Sequence, residues 1–317
     1  MKAIVTGATS FVGAAAAGEL LRQGHHVMAV VRPGSARLGR LYGHVPGQAR
    51  PRLQVAELDL GHIRGLEGML RAEGAGWDVW LHMGWGGSGS DSRKNRQIQQ
   101  ENVANSLAAV QVAAHMGCKR FVFTGSQAEY GFYREPVTEE ADCRPVSEYG
   151  KAKREFAVQA KGLCKKLDMD YVHTRIFSVY GPGDHPWTLV QSCLRAWQQG
   201  GGITLGECTQ QWNYLYIEDA AEALALLVEK GPAGIYNLAG DDTRMLRGFV
   251  EEMYRLCGSR GSYQYGGRPE NAEGVVNLIP EIGKIKGAVG WKPKTAFAEG
   301  IRKILLHMQG GPPAFQA

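Results

Sequence analysis

Met1-Lys2-Ala3-Ile4-Val5-Thr6-Gly7-Ala8-Thr9-Ser10-Phe11-Val12-Gly13 is the stretch from which the fold follows. Ala3–Thr6 is a short apolar run that reads as a strand, and from Phe11 to about Gln23 the pattern is helical. A glycine turn that leads straight from a strand into a helix leaves free backbone N–H groups, at the positive helix end, facing whatever lies in the turn. The pyrophosphate of a dinucleotide fits such a turn, the alternative being a turn of purely structural use. Gly7, Thr9, Ser10, Phe11, Val12 and Gly13 are the candidate contacts.

Outward from this start, apolar runs at His26–Val31, Val79–His82, Arg120–Phe123 and Tyr171–Arg175 alternate with helical patterns, the strongest at Asn95–Met116 and Ser147–Leu167. The alternation predicts βαβ units and an α/β fold with a Rossmann-type, doubly wound parallel sheet. After about Phe177 the pattern loosens around Gly181-Pro182-Gly183, Gly200-Gly201-Gly202 and Gly266-Gly267, which predicts a smaller C-terminal substrate lobe. A strand near Tyr214–Ile217, a helix from Glu218 to Glu229 and a strand at Ile235–Ala239 read as a return to the sheet. The expected division is a dinucleotide-binding domain over residues 1–176, with return segments near 212–240, and a substrate-binding lobe over 177–317, mostly 177–211 and 241–317. Ligands are expected in the cleft between them.

The 317 residues, 44% hydrophobic and 21% charged with 43 glycines, describe a soluble globular chain with many tight turns. A net charge of +5 from scattered basic residues leaves no nucleic-acid footprint. Six cysteines without a C-x-x-C predict neither a zinc site nor a disulfide framework, and no metal is expected. The first residues reach a glycine turn too soon for a signal peptide, and no apolar run approaches the roughly 18 residues of a membrane helix. The expectation is a cytoplasmic protein that acts on a small molecule, without membrane or nucleic-acid partners.

The second strand ends in Val30-Val31-Arg32-Pro33-Gly34-Ser35, with Arg32 where an NAD-selective site would carry a carboxylate for the ribose diol. An arginine suits a 2′-phosphate, with Ser35 and Arg37 as helpers. NADP(H) is therefore the expected cofactor and NAD the alternative, while a solvent-facing arginine is the plainer reading. Asp59, followed by Leu60 in Glu57-Leu58-Asp59-Leu60, reads either as a partner of the adenine amino group or as a helix N-cap.

Within Ser147-Glu148-Tyr149-Gly150-Lys151-Ala152-Lys153, Tyr149 and Lys153 stand at i and i+4 on one helix face. An ammonium beside a phenol favours the phenolate and pulls its pKa down from about 10, so the tyrosine can exchange protons near neutral pH.

Together these stretches resemble the extended short-chain dehydrogenase/reductase family, which contains nucleotide-sugar epimerases, dehydratases and reductases. The resemblance runs from end to end. Besides the phosphate turn it includes Asp78-Val79-Trp80-Leu81-His82, Asn102-Val103, Phe121-Val122-Phe123-Thr124-Gly125-Ser126, Tyr130-Gly131, Arg175-Ile176-Phe177-Ser178-Val179-Tyr180-Gly181-Pro182-Gly183, Tyr214-Leu215-Tyr216-Ile217-Glu218-Asp219 and Gly290-Trp291-Lys292-Pro293. It implies that Ser126 hydrogen-bonds the reacting oxygen, Tyr149 is the general acid/base, and Lys153 holds the nicotinamide ribose. Asn102 is implied near the cofactor. Trp85 opens a glycine-rich, mobile loop, Trp85-Gly86-Gly87-Ser88-Gly89-Ser90, where the sugar approaches. Gln127, Glu129, Ser178, Trp212 and Arg268 are the other implied substrate contacts.

Departures from the family narrow the chemistry. Ser10 replaces the middle glycine of the turn and brings a hydroxyl to the phosphate. Gln127 and Ala128 replace the Asp-Glu pair of the dehydratases, and Ala128 and Gly183 replace the cysteine and histidine of the 3,5-epimerases. Trp212 replaces an arginine for the nucleotide diphosphate, reading either as a stacking partner for a base or, more plainly, as packing at the lobe interface, and leaving Arg268, which matches a second one. What remains is redox at one carbon: reduction of the 4-keto group of a nucleotide-diphosphate 6-deoxyhexose, which Arg32 favours, or 4-epimerisation. A reductase of a non-sugar ketone and a catalytically idle NADP-binding regulator stay open. Relatives pair through the two long helices, so a homodimer is implied.

Overall fold

The computed structural model describes residues 1–70, 76–87, 89, 92–268 and 276–310. In chain order the strands are β1 (Lys2–Thr6), β2 (His26–Val31), β3 (Leu53–Glu57), β4 (Val79–His82), β5 (Arg120–Ser126), β6 (Asp170–Ile176), β7 (Ser178–Tyr180), β8 (Gly202–Thr204), β9 (Gln211–Tyr216), β10 (Gly234–Leu238), β11 (Thr243–Met245) and β12 (Ser262–Gln264). The helices are α1 (Phe11–Arg22), α2 (Leu38–His44), α3 (Leu66–Leu70), α4 (Arg96–His115), α5 (Glu148–Lys166), α6 (Leu189–Gln198), α7 (Ile217–Lys230), α8 (Leu246–Leu256), α9 (Gly283–Val289) and α10 (Phe297–Met308).

Among the described residues one parallel sheet runs in the order β10-β6-β5-β4-β1-β2-β3. Val79, Trp80 and Leu81 of β4 are fully buried on both faces, as a parallel strand covered by helices on each side must be. One apolar layer joins one face to α1, α2, α7 and α9, and the other joins the opposite face to α3, α4 and α5. The Rossmann-type sheet is therefore doubly wound. The order reverses between β1 and β4, and the crevice at their C-terminal ends is where open α/β sheets take ligands.

The strand expected near Tyr214–Ile217 is β9, and it does not return to the large sheet. It pairs with β7 and β11, while β8 and β12 pair separately. The aromatic residues explain this: Tyr214 packs edge-on against Phe249 with centroids 5.1 Å apart and stacks at 5.3 Å on Phe297, in a third apolar cluster built from C-terminal elements. The return is made by α7 and β10 alone. Among the described residues no helix is long and apolar enough to cross a membrane.

Candidate active site

Gly7 has a φ of +70° and lies so near the end of β4 that a Cβ would come within 2.8 Å of Gly84 N. A Cβ on Gly13 would stand 2.2 Å from the Gly7 carbonyl oxygen. The two glycines thus keep open a cradle at the N-terminus of α1 that fits a pyrophosphate. Ser10 is the N-cap, its Oγ accepting the Gly13 N–H at 3.0 Å, so only the hydroxyl proton is left for a phosphate. Phe11 turns its ring into the C-terminal cluster and Val12 packs at that cluster's edge, leaving their backbone to face the turn. Thr9 Oγ1 accepts from Ser35 at 3.5 Å, which joins the turn to the loop after β2. Glu57 fixes that loop by accepting the Gly34 N–H at 3.0 Å, and Arg32 is exposed at its start.

Asp59 is an N-cap, with Oδ1 accepting the Gly61 N–H at 2.9 Å. Leu60 covers the end of β4, where a Cβ on Gly84 would meet its Cδ1 at 2.7 Å. Beneath it, Trp80 Nε1 donates to His82 Nδ1 at 3.4 Å, while Thr6 Oγ1 accepts the Met83 and Gly84 N–H groups at 3.2 Å each. Thr6 therefore gives its own proton to His82 Nδ1 at 2.9 Å, which assigns the ring proton to Nε2, 2.9 Å from Ser106 Oγ. Burial pushes the His82 pKa down to about 3, so the ring is neutral.

Ser126 ends β5, and Tyr149 and Lys153 occupy the first turns of α5, which Ser147 caps by accepting the Gly150 N–H at 3.2 Å. Lys153 Nζ donates to the Thr124 carbonyl at 2.8 Å and lies 4.1 Å from the Trp85 ring centroid and 5.7 Å from that of Tyr149. Burial, helped by Arg93 and opposed by Glu129, lowers the ammonium pKa to about 7. Trp85 stands edge-on to Tyr149 with centroids 6.4 Å apart, and Arg93 Cζ lies 4.3 Å from the same ring. Two basic side chains therefore flank the phenol ring. The Ser126 Oγ accepts the Ala128 N–H at 3.2 Å and keeps its proton for an outside acceptor.

Asn102, implied near the cofactor, fastens the segment after β4. Its amide accepts the Gly86 N–H and donates to the Gly86 carbonyl, both at 2.8 Å. Gln99, which the sequence reading missed, accepts from Trp85 Nε1 at 2.8 Å and donates to the Gly87 and Ser92 carbonyls at 2.9 and 3.0 Å. Its signal was available, since it lies three residues before Asn102 on the same face of α4. The described part of the loop expected to be mobile is thus tied down, and Ser88 and Ser90 lie outside the described residues. Glu129, expected among the substrate contacts, is instead fully buried and held by His173 and Arg175. Gln127 remains partly exposed in the same turn.

Ser178, Trp212 and Arg268 meet in the wall of a cavity of about 400 Å³, together with Asp184, Trp187 and Gln210. Burial raises the Asp184 carboxyl pKa to about 6, against the His185 N–H and Thr188 hydroxyl that favour its charge.

Residues 3–239 match the model of the NAD dependent epimerase/dehydratase family. The chain belongs to that family. Its relatives include UDP-glucose 4-epimerase of Lactobacillus helveticus, 24% identical over 317 residues, 93% of this chain and 92% of the relative. dTDP-D-glucose 4,6-dehydratase of Mus musculus is 24% identical over 215 residues, 64% of this chain and 59% of the relative. A trifunctional UDP-glucose 4,6-dehydratase/UDP-4-keto-6-deoxy-D-glucose 3,5-epimerase/UDP-4-keto-L-rhamnose-reductase of Arabidopsis thaliana is 23% identical over 95% of this chain and 46% of its own length. The chain thus spans less than two thirds of the latter two. Among solved structures, UDP-glucose 4-epimerase of Thermotoga maritima with UDP-glucose has a TM-score of 0.85 at 20% identity, covering 98% of this chain and 99% of that one. UDP-glucose 4-epimerase of Thermus thermophilus with NAD has a TM-score of 0.84 at 23% identity and the same coverage. At these identities the likeness is one of fold, and the epimerase/dehydratase architecture extends over nearly the whole chain.

Proposed function

We propose that this chain reduces the 4-keto group of a nucleotide-diphosphate 6-deoxyhexose with NADPH. What supports this reading is the placement of Lys153 between the Thr124 carbonyl of β5 and the Tyr149 ring, with Arg32 instead of an acid at the tip of β2. The cradle at Gly7 and Gly13 and the Lys153 ammonium would hold a dinucleotide, which when bound would supply the hydride. Ser126 donates to the carbonyl oxygen and stabilises the charge that gathers there. Tyr149 delivers the proton that quenches it, and Lys153 in its charged form stabilises the phenolate left behind. Gln127 and Ala128, where carboxylates would be needed to remove water, support plain redox. The cavity bordered by Ser178, Trp212 and Arg268 takes the nucleotide, with Arg268 as the cation for the diphosphate. We assign residues 1–176, with α7 and β10, to the dinucleotide-binding domain and the remainder to the substrate lobe. The working unit is a cytoplasmic homodimer joined through α4 and α5.

A second reading, 4-epimerisation of a UDP-sugar, is supported by the Lactobacillus relative, which aligns along almost the whole of both chains. One experiment separates the two. The purified protein is given NADPH with UDP- or dTDP-4-keto-6-deoxyglucose, and separately UDP-glucose. Stoichiometric NADPH oxidation is expected. Tightly retained oxidised NAD, with UDP-galactose formed and no net NADPH consumed, would overturn the reductase reading in favour of the epimerase.

A further inference from the structure

A buried carboxylate lies directly behind the hydride-transfer centre. Glu129 Oε1 accepts the Ser126 N–H at 2.8 Å and faces His173 Nε2 at 3.1 Å, while Oε2 lies 3.5 Å from Arg175 Nε. Glu129, His173 and Arg175 are all buried. Gly125 allows the approach, because a Cβ there would come 2.2 Å from Glu129 Oε1 and 2.3 Å from His173 Nε2. The partners are themselves fixed: Arg175 Nη1 donates to the Glu139 carbonyl at 3.1 Å, and the Glu139 carboxylate accepts the Asn237 N–H of β10 at 2.8 Å. Burial alone would raise the Glu129 pKa, but His173, Arg175 and the Ser126 N–H outweigh it and hold the carboxyl below its ordinary value. A charge maintained in the interior acts on its neighbours with little screening.

We propose that Glu129 is a positioning residue of this centre: it clamps the Ser126 turn through a hydrogen bond and supplies the counter-charge for the Lys153 ammonium. The function given above enters only as the identity of the centre. The clamp is reciprocal, since Ser126 Oγ accepts the Ala128 N–H while Glu129 accepts the Ser126 N–H, and together they aim the serine hydroxyl. The counter-charge follows from placement: Lys153 Nζ sits on the Thr124 carbonyl and Glu129 Oε1 on the Ser126 N–H, two residues further along β5. Arg93 from the segment after β4 opposes its charge, His82 of β4 is neutral, Tyr149 lies on its own helix, and Glu129 favours the charged form. Glu129 in turn is faced by His173, Arg175 and Tyr171 of β6 and by Cys143 from the segment before α5.

The first arm of the test needs no substrate. NADPH and NADH affinities are read by nicotinamide fluorescence between about pH 6 and about pH 9, across the region where Lys153 loses its proton. In the parent, affinity falls as pH rises through that region, because only the charged ammonium holds the ribose. Glu129→Gln keeps an acceptor for the Ser126 N–H but removes the charge, and the midpoint moves down by about one pH unit. Glu129→Asp keeps the charge that His173 and Arg175 face and shortens the reach to Ser126. Its midpoint stays in place while kcat with UDP-4-keto-6-deoxyglucose falls about tenfold at unchanged KM for NADPH, and it serves as the test if the glutamine variant does not fold. An unmoved midpoint in Glu129→Gln, or parental kcat in Glu129→Asp, overturns the proposal. Failure of the parent to bind either dinucleotide overturns the cofactor reading instead.

Discussion

At the scale of single residues, the site is a set of ionisable groups whose charge is set by burial. On the proposed reading Tyr149 is the proton donor, so Tyr149→Phe should lower kcat by about 10²- to 10⁴-fold. NADPH affinity, measured by fluorescence titration, should stay near that of the parent, because the cradle at Gly7 and Gly13 is untouched. His82 gives a stability prediction. Its folded-state pKa of about 3 lies below the ordinary histidine value of 6.5, so the unfolded chain binds the proton more tightly. The neutral ring's contribution is complete above pH 6.5 and is lost as pH falls toward 3. That loss reaches roughly 3 kcal/mol by about pH 4. His44, also depressed to about 3 by burial, adds a second loss of the same sign. Urea unfolding from neutral to acid pH should show the decline, and His82→Asn should flatten it without abolishing it. An equally steep decline in that variant would remove His82 from the explanation.

At the scale of elements, the start of α1 separates what a cap does from what a cradle does. Ser10→Ala removes one N-cap bond and should cost about 1 kcal/mol in urea unfolding with only a modest loss of NADPH affinity. Gly13→Ala drives a Cβ against the Gly7 carbonyl and should abolish dinucleotide binding. Equal affinities for the two variants would show that the cradle is not the phosphate site. The same segment shows why the large sheet was legible: β2 and β4 are apolar runs bounded by turns, and the observed limits of both coincide with the expected ones. β9 was less legible. Gln211–Tyr216 has strand character, but its partners β7 and β11 lie about thirty residues away on either side, and no local pattern specifies which sheet it joins. Tyr149 and Lys153 could be found by spacing within one helix, whereas Glu129 could not be placed. A glutamate in a serine-led turn reads as surface until β6 brings His173 and Arg175 across to neutralise it. Asn102 shares the problem, because its partners are the backbone groups of a loop residue and leave no trace in residue type.

At the scale of the whole molecule, α1, which starts at the glycine cradle, is anchored in the C-terminal apolar cluster. Phe11, the first residue of α1, is buried in the same apolar cluster as Tyr180, Tyr216, Phe249 and Phe297, and a Cβ on Gly181 would touch its ring at 3.6 Å. The same union is repeated elsewhere. Arg40 of α2 donates to the Gly183 carbonyl at 3.0 Å, and Trp291 Nε1 donates to the Asp219 carbonyl of α7 at 3.1 Å. Contacts this extensive should make the chain unfold as one cooperative unit, with amides of β4 and β5 and those of α6 and α8 exchanging at the same denaturant midpoint. Ligand binding must then stabilise both regions equally, by about 2.7 kcal/mol when NADPH is present at a hundred times its Kd. Phe11→Ala removes the ring that joins them and should cost about 3 kcal/mol. It should also weaken NADPH binding, because the helix start loses its anchor, although the ring itself faces away from the cradle. Hydrogen exchange followed by mass spectrometry, with and without NADPH, measures all three. Two separate midpoints in the parent, or NADPH protection confined to the large sheet, would show that the regions fold independently and that the anchor at Phe11 carries no coupling.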